Sequence, residues 1–196
     1  MNKIERICVF CGSSSGRNPQ YLAAAETVGR TLASRGIAVV YGGAKVGLMG
    51  AVADAALATG GTVIGVMPEV LFDKEIGHTG LTQMHVVRNL HERKAMMADL
   101  SDAFVALPGG YGTLEEICEV ITWSQLSLHR KPCGFVNVAG YWDPMIRMFD
   151  HAVREEFLKA ANRNIVLVDD DIEGLLTKMT AWRPNDEAKW IESTER

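Results

Sequence analysis

The sequence lacks long hydrophobic runs and basic clusters, and these absences exclude two classes of protein. No apolar run approaches the ~20 residues that a membrane-spanning helix requires, and the apolar stretch within residues 1–11 is too short for a signal sequence. The 24 acidic residues outnumber the 20 basic ones, and no basic block exists, which argues against broad binding to nucleic acid. We therefore expect a cytoplasmic protein that binds neither membranes nor nucleic acids.

Cysteine and histidine are also scarce, and their spacing indicates no metal site. Cys8 and Cys11 have the spacing of a redox pair, but they lie in an apolar strand pattern, so we expect buried, reduced thiols. Cys118 and Cys133 are interpreted in the same way. The His-Glu pair at residues 91–92 is not followed by the second histidine of an HExxH zinc motif. We expect no bound metal.

The composition is that of a single globular domain. Of the 196 residues, 47% are hydrophobic and 22% are charged, which is typical of globular proteins. A chain of this length buries roughly 70% of its unfolded surface and needs no disulfide or structural metal to fold. We expect one domain over residues 1–182, followed by a polar C-terminal extension over residues 183–196.

Short apolar runs alternate with helical patterns along the chain. Seven strands are predicted, at residues 6–10, 37–41, 62–67, 84–88, 103–107, 134–138 and 165–168. Six helices are predicted, at residues 19–35, 47–59, 89–100, 113–129, 142–160 and 171–181. Most of the strand runs are continuously apolar, which is typical of strands covered on both faces. The alternation predicts a Rossmann-like, doubly wound α/β fold with a mostly parallel sheet of about seven strands.

Residue types at the predicted helix ends support these boundaries. Gly36 and Gly60 follow two of the helices at the position where glycine favours termination. Asp143 and the aspartate run 169–171 precede two others and are interpreted as N-caps. The segment 68–82 is the one long irregular stretch, and loops of that length in compact domains are often functional.

Three predicted strands lead into glycine-rich turns, at residues 11–16, 41–50 and 108–113. Ligands of an open parallel sheet bind at the carboxyl ends of its strands. Glycine lets backbone N–H groups approach a ligand, and a helix N-terminus adds positive charge, so such turns bind anions, usually phosphate. None of the turns has the ending of a Walker A loop or the GxGxxG spacing of a dinucleotide site. Together they predict a phosphorylated ligand.

Charged residues near these turns have alternative interpretations. Glu115 lies in the first turn of a helix, where an acidic residue is favourable even without a ligand. Glu116 lies beside the predicted buried face of that helix, where a carboxylate can stabilise a sugar cation or orient a water. Arg93 lies on an apolar stripe and either extends its guanidinium to solvent or contacts a phosphate, ribose or purine. Lys94 is interpreted as a surface charge, and Lys45 either adds positive charge to the second turn or is solvated.

Residues 108–116, which read PGGYGTLEE, match the PGGxGTxxE signature of the Lonely guy family. Members are nucleoside 5′-monophosphate phosphoribohydrolases that activate cytokinins and are often mislabelled lysine decarboxylases. Residues 91–95 resemble the second motif of that family, and residues 8–14 and 41–43 resemble further family elements. The resemblance covers roughly residues 5–182.

The resemblance implies hydrolysis of the N-glycosidic bond of a purine nucleoside 5′-monophosphate to ribose 5-phosphate and a free base, either adenine or an N6-prenylated adenine. It implies Arg93 and Glu116 as the catalytic pair, and no metal or organic cofactor. The substrate-binding residues that it implies are Gly12, Ser13, Gly43, Glu75, Lys94, Gly109, Gly110, Tyr111, Gly112, Thr113, Glu115 and Thr122. It also implies a two-fold homodimer with active sites near the interface.

Two other functions stay open at this point. The same sheet and a PGG-type turn can carry a nucleotide or a phosphorylated cofactor without chemistry, and the pairing of Arg93 with Glu116 is the feature that argues against such a carrier. A lysine decarboxylase would require pyridoxal phosphate and a Schiff-base lysine, and nothing in the sequence marks such a lysine.

Overall fold

Seven strands form one sheet in the computed structural model, which describes residues 3–72 and 76–184. The strands are β1 (Arg6–Phe10), β2 (Ala38–Tyr41), β3 (Val63–Pro68), β4 (Gln83–Val87), β5 (Ala103–Ala106), β6 (Cys133–Val136) and β7 (Val166–Asp169). Their order is β4-β3-β2-β1-β5-β6-β7, and every neighbouring pair is parallel. All seven predicted strands are confirmed, with ends within two residues of the predicted ones.

Helices connect the strands and cover both faces of the sheet. They are α1 (Pro19–Ser34), α2 (Gly47–Ala58), α3 (Glu69–Leu71), α4 (Leu90–Asp99), α5 (Tyr111–Gln125), α6 (Asp143–Arg154), α7 (Ala160–Arg163) and α8 (Ile172–Ala181). Within residues 3–72 and 76–184, no helix has both the length and the apolar composition needed to cross a bilayer. Residues 185–196 of the predicted C-terminal extension lie outside the described residues.

Three predicted helix boundaries are wrong. The predicted helix 142–160 extends too far, because α6 ends at Arg154 and Glu156 then adopts a left-handed φ of 62°. The predicted helix 113–129 begins two residues earlier, at Tyr111, and ends at Gln125, shortly before Ser127 with a φ of 61°. Asp143 is the first residue of α6 rather than its N-cap, which is Trp142, and its carboxylate accepts a hydrogen bond from Asn137 Nδ2 at 2.8 Å instead of capping the helix.

The other helix-end predictions are confirmed. Gly36 and Gly60 follow α1 and α2 with left-handed φ values of 69° and 79°, a conformation that glycine adopts without steric cost. Asp171 is the N-cap of α8, and its carboxylate accepts a hydrogen bond from Gly174 N–H at 2.8 Å.

The two faces of the sheet bury separate hydrophobic clusters. Along β1, Ile7 and Val9 pack with residues of α1, α2 and α8, whereas Cys8 and Phe10 pack with residues of α4, α5 and α6. Coverage on both faces explains why the strands are continuously apolar. The predicted burial of the thiols is confirmed for Cys8, Cys11 and Cys133, whereas Cys118 is partly exposed, and none of the four is in a disulfide.

The strand order creates a crevice at the carboxyl edge of the sheet. From β1 the chain passes through α1 to β2 on one side, and from the adjacent β5 it passes through α5 to β6 on the other side. The two connections diverge, and ligands of open α/β sheets bind at such a switch point. The first and third glycine-rich turns follow β1 and β5 and therefore border this crevice.

Candidate active site

The three glycine-rich turns meet at the carboxyl edge of the sheet. Gly12 N–H donates to Pro108 O at 3.0 Å and Leu48 N–H donates to Gly12 O at 3.0 Å, so the backbone itself joins all three turns. A cleft of about 280 Å³ lies among them. It is lined by residues 12–16, Tyr21, Leu48, residues 108–110 and Tyr141.

Helix α5 begins directly beside this cleft. Gly110 is its N-cap and supplies no side chain to the helix end. The first backbone bond of the helix runs from Leu114 N–H to Gly110 O at 3.0 Å. The N–H groups of Tyr111, Gly112 and Thr113 belong to the first turn, where helices leave their donors to ligands or solvent. With the positive end of the helix dipole, these donors form an anion site.

Arg93 of α4 and Glu116 of α5 form a buried ion pair near the same edge. Arg93 Nη1 lies 2.9 Å from Glu116 Oε1, and the two side chains are 13% and 11% exposed. Arg93 Nε donates to Val66 O, at the end of β3, at 3.1 Å. A Cβ on Gly42 would lie 2.2 Å from Arg93 Nη2, so only glycine leaves room for the guanidinium at the end of β2. Of the two interpretations of Arg93, the structure excludes a solvated head group.

Burial raises the pKa of Glu116 above its ordinary value of 4.5, and the charge of Arg93 opposes this effect only in part. A buried carboxyl group with a raised pKa and one specific charged partner is typical of an active site. Glu116 is also more buried than the sequence predicts, because α5 turns it toward the sheet together with Ile117 and Val120.

Lys94 lies beside this pair, and the interpretation of Lys94 as a surface charge is wrong. Its ammonium group contacts Glu115 and lies 3.0 Å from Glu119, and the side chain is mostly buried between α4 and α5. Burial lowers the pKa of Lys94, but the hydrogen bonds to the two carboxylates outweigh it and raise the pKa overall. Within the described chain, Lys94 therefore links two helices.

The other residues implied by the resemblance fall into three groups. Gly43 and Ser13 lie in the first two turns, where Gly43 O accepts from His78 N–H at 2.8 Å. Gly109 packs against Thr113, whose Oγ1 would lie 2.1 Å from an added Cβ, so this position requires glycine. Thr122 bonds within its own helix, to Cys118 O, and lies about 9 Å along α5 from Glu116.

Two predicted positions differ in character from the cleft residues. Tyr111 starts α5 with a side chain that is 93% exposed. Glu75 lies outside the described residues. Its neighbours on the C-terminal side are attached to the second turn, since Lys45 N–H donates to Ile76 O at 3.0 Å and residues 44 and 77 form an isolated bridge.

Sequence reasoning missed Tyr141. Tyr141 lies in the corner that follows β6, and its hydroxyl group donates to Gly109 O at 2.5 Å. No spacing within the sequence links Tyr141 to the third turn. The signal was its position just after the carboxyl end of a predicted strand, at the ligand-binding edge of the sheet.

Comparisons with known proteins agree with this geometry. The model of a family described as possible lysine decarboxylase matches residues 49–179. A cytokinin riboside 5′-monophosphate phosphoribohydrolase of Rhodococcoides fascians is 51% identical over 171 residues, which cover 87% of this chain and 86% of the relative. A protein of the same name from Arabidopsis thaliana is 46% identical over 183 residues, covering 93% of this chain and 84% of the relative.

Solved structures show the same fold in proteins of other function. The molybdenum cofactor carrier protein of Chlamydomonas reinhardtii has a TM-score of 0.68 at 21% identity, with 91% of this chain and 98% of that chain covered. The molybdenum cofactor binding protein of Rippkaea orientalis has a TM-score of 0.68 at 19% identity, with coverage of 91% and 97%. At this identity the likeness concerns the fold alone.

The curated relatives have a much higher sequence identity to this chain than the solved structures have, and the matched residues cover most of each relative. The family model also spans more than half of the chain and includes both Arg93 and Glu116. On these grounds, the chain belongs to the Lonely guy family, the group described by its family model as possible lysine decarboxylases.

Proposed function

We propose that this chain hydrolyses the N-glycosidic bond of adenosine 5′-monophosphates, with or without an N6 substituent, to ribose 5-phosphate and a free base. The observation that carries the proposal is the buried Arg93–Glu116 pair beside the anion site of α5. One element binds the phosphate, and the next turn of the same helix supplies a carboxylate for the sugar. The names of the curated relatives support this reaction.

Glu116 acts on the ribose. Cleavage of the C1′–N9 bond gives the sugar oxocarbenium character, and a carboxylate near C1′ stabilises that positive charge. The same carboxylate can orient the attacking water or accept its proton. The reaction is a hydrolysis: water adds at C1′, the C1′–N9 electron pair leaves with the base, and the base gains a proton.

Arg93 has two roles that fit its geometry. Its contacts with Glu116 and Val66 O fix the guanidinium plane, and a fixed guanidinium can stabilise negative charge on the departing base or bind the phosphate. In both roles the charge of Arg93 favours the ionised form of Glu116 and so opposes part of the rise in pKa that burial causes.

The glycine turn at residues 109–113 anchors the 5′-phosphate. Its backbone N–H groups and the dipole of α5 stabilise a dianion more than a neutral hydroxyl group. Binding energy from this remote group would hold C1′ against Glu116, so a nucleoside that lacks the phosphate should react poorly.

Lys94 does not suit the decarboxylase name of the family model. A Schiff-base lysine must lose its proton easily, whereas the pKa of Lys94 is raised by Glu115 and Glu119. A carrier of the same fold has no need for a buried Arg–Glu pair. Burying the two charges costs desolvation free energy, and a protein that only carries its ligand gains no chemistry from them.

We also propose a two-fold homodimer with its interface at the carboxyl edge, which rests on the family resemblance. Exposed apolar side chains at this edge support it. Leu90 at the start of α4 and Tyr111 at the start of α5 are 54% and 93% exposed, and both lie within a turn or two of the catalytic pair. Apolar side chains concentrated beside a site are typical of an interface.

The experiment that tests the function compares three substrates. The protein is incubated without added metal with AMP, an N6-prenylated AMP and adenosine, and free base and ribose 5-phosphate are separated by chromatography. We expect base from both monophosphates and little from adenosine. Intact nucleotide recovered after long incubation with well-folded protein would instead support a carrier, and equal reaction of adenosine would contradict the role of the phosphate turn.

A further inference from the structure

We propose that Tyr141 is a positioning residue that holds the phosphate-binding turn in its binding conformation. The inference rests on the proposed function, because it assigns the anion site of that function a second supporting element. Tyr141 lies in the corner between β6 and α6, far from the turn in sequence. Its hydroxyl group donates to Gly109 O at 2.5 Å across the cleft.

The contact restrains the orientation of the peptide that joins two consecutive glycines. Gly109 and Gly110 are consecutive glycines, and a peptide between two glycines can flip at little steric cost. In a trans peptide the carbonyl and the following N–H point in opposite directions. By holding Gly109 O, Tyr141 therefore also sets the direction of Gly110 N–H. A flipped peptide would turn a carbonyl oxygen, with its negative partial charge, toward the site of a bound anion.

The corner that carries Tyr141 is itself tightly bonded. Asn137 Oδ1 accepts from Trp142 N–H at 2.7 Å, Asn137 Nδ2 donates to Asp143 at 2.8 Å, and Asn137 N–H donates to Asp169 O at 2.7 Å. Ala139 adopts a left-handed φ of 50°, which costs an alanine energy and is retained only where the surroundings enforce it. A single asparagine thus ties β7 and the start of α6 to the corner.

Aromatic contacts orient the ring of Tyr141 as well. It packs edge-on against Tyr21 of α1 with ring centres 5.5 Å apart, and against Trp142 with ring centres 4.9 Å apart. The hydroxyl group is therefore presented to Gly109 by a ring that is held from two sides. The geometry makes Tyr141 a brace between the β6 corner and the phosphate turn.

The test is the substitution Tyr141→Phe, which keeps the ring and removes the hydroxyl group. Binding of ribose 5-phosphate and of inorganic phosphate is measured by calorimetry, and kcat and KM are measured with AMP. We expect the affinity for both phosphates to fall roughly 5- to 10-fold, which is the effect of losing one hydrogen bond. The KM for AMP should rise by a similar factor while kcat changes little, since Tyr141 does not touch the reacting bond.

The matched control is Thr180→Val. It also removes a hydroxyl group that donates to a backbone carbonyl, Leu176 O at 2.8 Å, but near the end of α8 and away from the cleft. This control should bind phosphate like the wild type. If binding fell only because a variant is less stable, Thr180→Val with the same drop in melting temperature would bind equally weakly, whereas the proposal requires weaker binding in Tyr141→Phe alone.

The binding data separate this inference from the proposed function. If the wild-type protein binds ribose 5-phosphate but releases no base, the proposed hydrolase function is contradicted. Weaker binding of ribose 5-phosphate by Tyr141→Phe would then still support the positioning role of Tyr141. Equal phosphate binding by the wild type and Tyr141→Phe overturns the brace, and so does wild-type protein that binds neither phosphate. Tyr141→Leu, which removes the ring as well, must bind at least as weakly as Tyr141→Phe.

Discussion

Glu116 is a carboxylate in a position that is costly for the folded chain. It is buried against the sheet, and its pKa is raised because burial disfavours the charged form. Arg93 provides the only side-chain ion pair that the described residues show for it. Buried ion pairs seldom add net stability, because desolvation offsets their attraction. The pair is therefore better explained by chemistry at the cleft than by the stability of the fold.

The first prediction at the residue scale concerns Glu116→Gln. The amide keeps the size of the side chain but cannot carry negative charge or accept a proton from water. We expect turnover of AMP to fall by at least about 100-fold, and the melting temperature to fall as well, because the amide leaves the buried guanidinium of Arg93 without its charge partner. The control is Glu119→Gln, one turn further along α5, which should retain activity close to that of the wild type. Near wild-type turnover by folded Glu116→Gln would refute the role of Glu116.

The raised pKa of Glu116 also predicts how stability depends on pH. The folded pKa lies above the unfolded value of about 4.5, so the native state holds this proton more tightly than the unfolded state. The stabilising contribution is fully present below that unfolded value and is lost as the pH rises through the folded pKa.

Urea denaturation of the wild type and Glu116→Gln across this range measures the effect. The free energy of unfolding of the wild type, relative to the variant, should decrease as the pH rises above about 4.5. Other groups, such as Asp169 with its lowered pKa, remain in both proteins and cancel in the difference. Parallel curves for the two proteins would show that the pKa of Glu116 is not raised.

The sequence predicts individual site residues better than it predicts their environments. The position of Glu116 beside the buried face of α5 and the family resemblance both select it, and the structure places it in a buried ion pair with Arg93. Its contact with Arg93 depends on how α4 packs against α5, which residue spacing does not encode. Lys94 illustrates the limit, because the carboxylates that surround it, Glu115 and Glu119, come from a different helix.

At the scale of elements, two glycines at the start of α5 have different surroundings, so replacing each by alanine should change the stability of the protein in opposite directions. A Cβ on Gly109 would lie 2.1 Å from Thr113 Oγ1, whereas a Cβ on Gly112 would contact nothing within 4 Å. Gly109 is therefore required by packing. Gly112, inside the first turn of the helix, is not, so its open space is available to a ligand.

These two glycines give a paired prediction. Gly112→Ala should stabilise α5 by up to about 1 kcal/mol, because alanine has the higher helix propensity, and should raise the KM for AMP, because the methyl group enters the phosphate site. Gly109→Ala should lower both stability and activity. Thermal unfolding and steady-state kinetics of the two variants check this. A Gly112→Ala protein with an unchanged KM would place the phosphate elsewhere.

Element boundaries show where sequence patterns fail at this scale. Strands were predicted well because both faces of the sheet are covered, which makes each strand a short apolar run with sharp ends. The predicted helix 142–160 extends too far because the polar residues after α6 also suit a helix. The left-handed Glu156 that ends it depends on the tertiary path toward β7.

At the scale of the whole molecule, the alternation of strands and helices predicts a doubly wound sheet but not the order of its strands. That order brings β1 beside β5 and so places the first and third glycine turns on either side of one cleft. As a result, a backbone hydrogen bond from Gly12 N–H to Pro108 O joins these two turns. Turns almost a hundred residues apart in sequence thus form one site, and local sequence patterns do not predict that the two turns lie close together in space.

The proposed dimer is the prediction that belongs to the whole molecule. Leu90 is exposed at the carboxyl edge near the catalytic pair, and Phe157 is 90% exposed near the amino edge. Leu90→Asp places a charge in the proposed interface, while an acidic residue in the first turn of α4 remains favourable for the helix itself. Phe157→Asp is the matched control, with the same chemistry at the opposite edge.

Sedimentation at micromolar concentration should find two chains for the wild type and for Phe157→Asp, and a shift toward the monomer for Leu90→Asp. Because the interface would lie against the active site, Leu90→Asp should also lose activity with AMP in proportion to its monomer fraction, and regain part of it at higher protein concentration. A wild type that is monomeric and fully active would contradict the dimer. A dimer disrupted by Phe157→Asp instead would move the interface to the amino edge and free the cleft from any role in assembly.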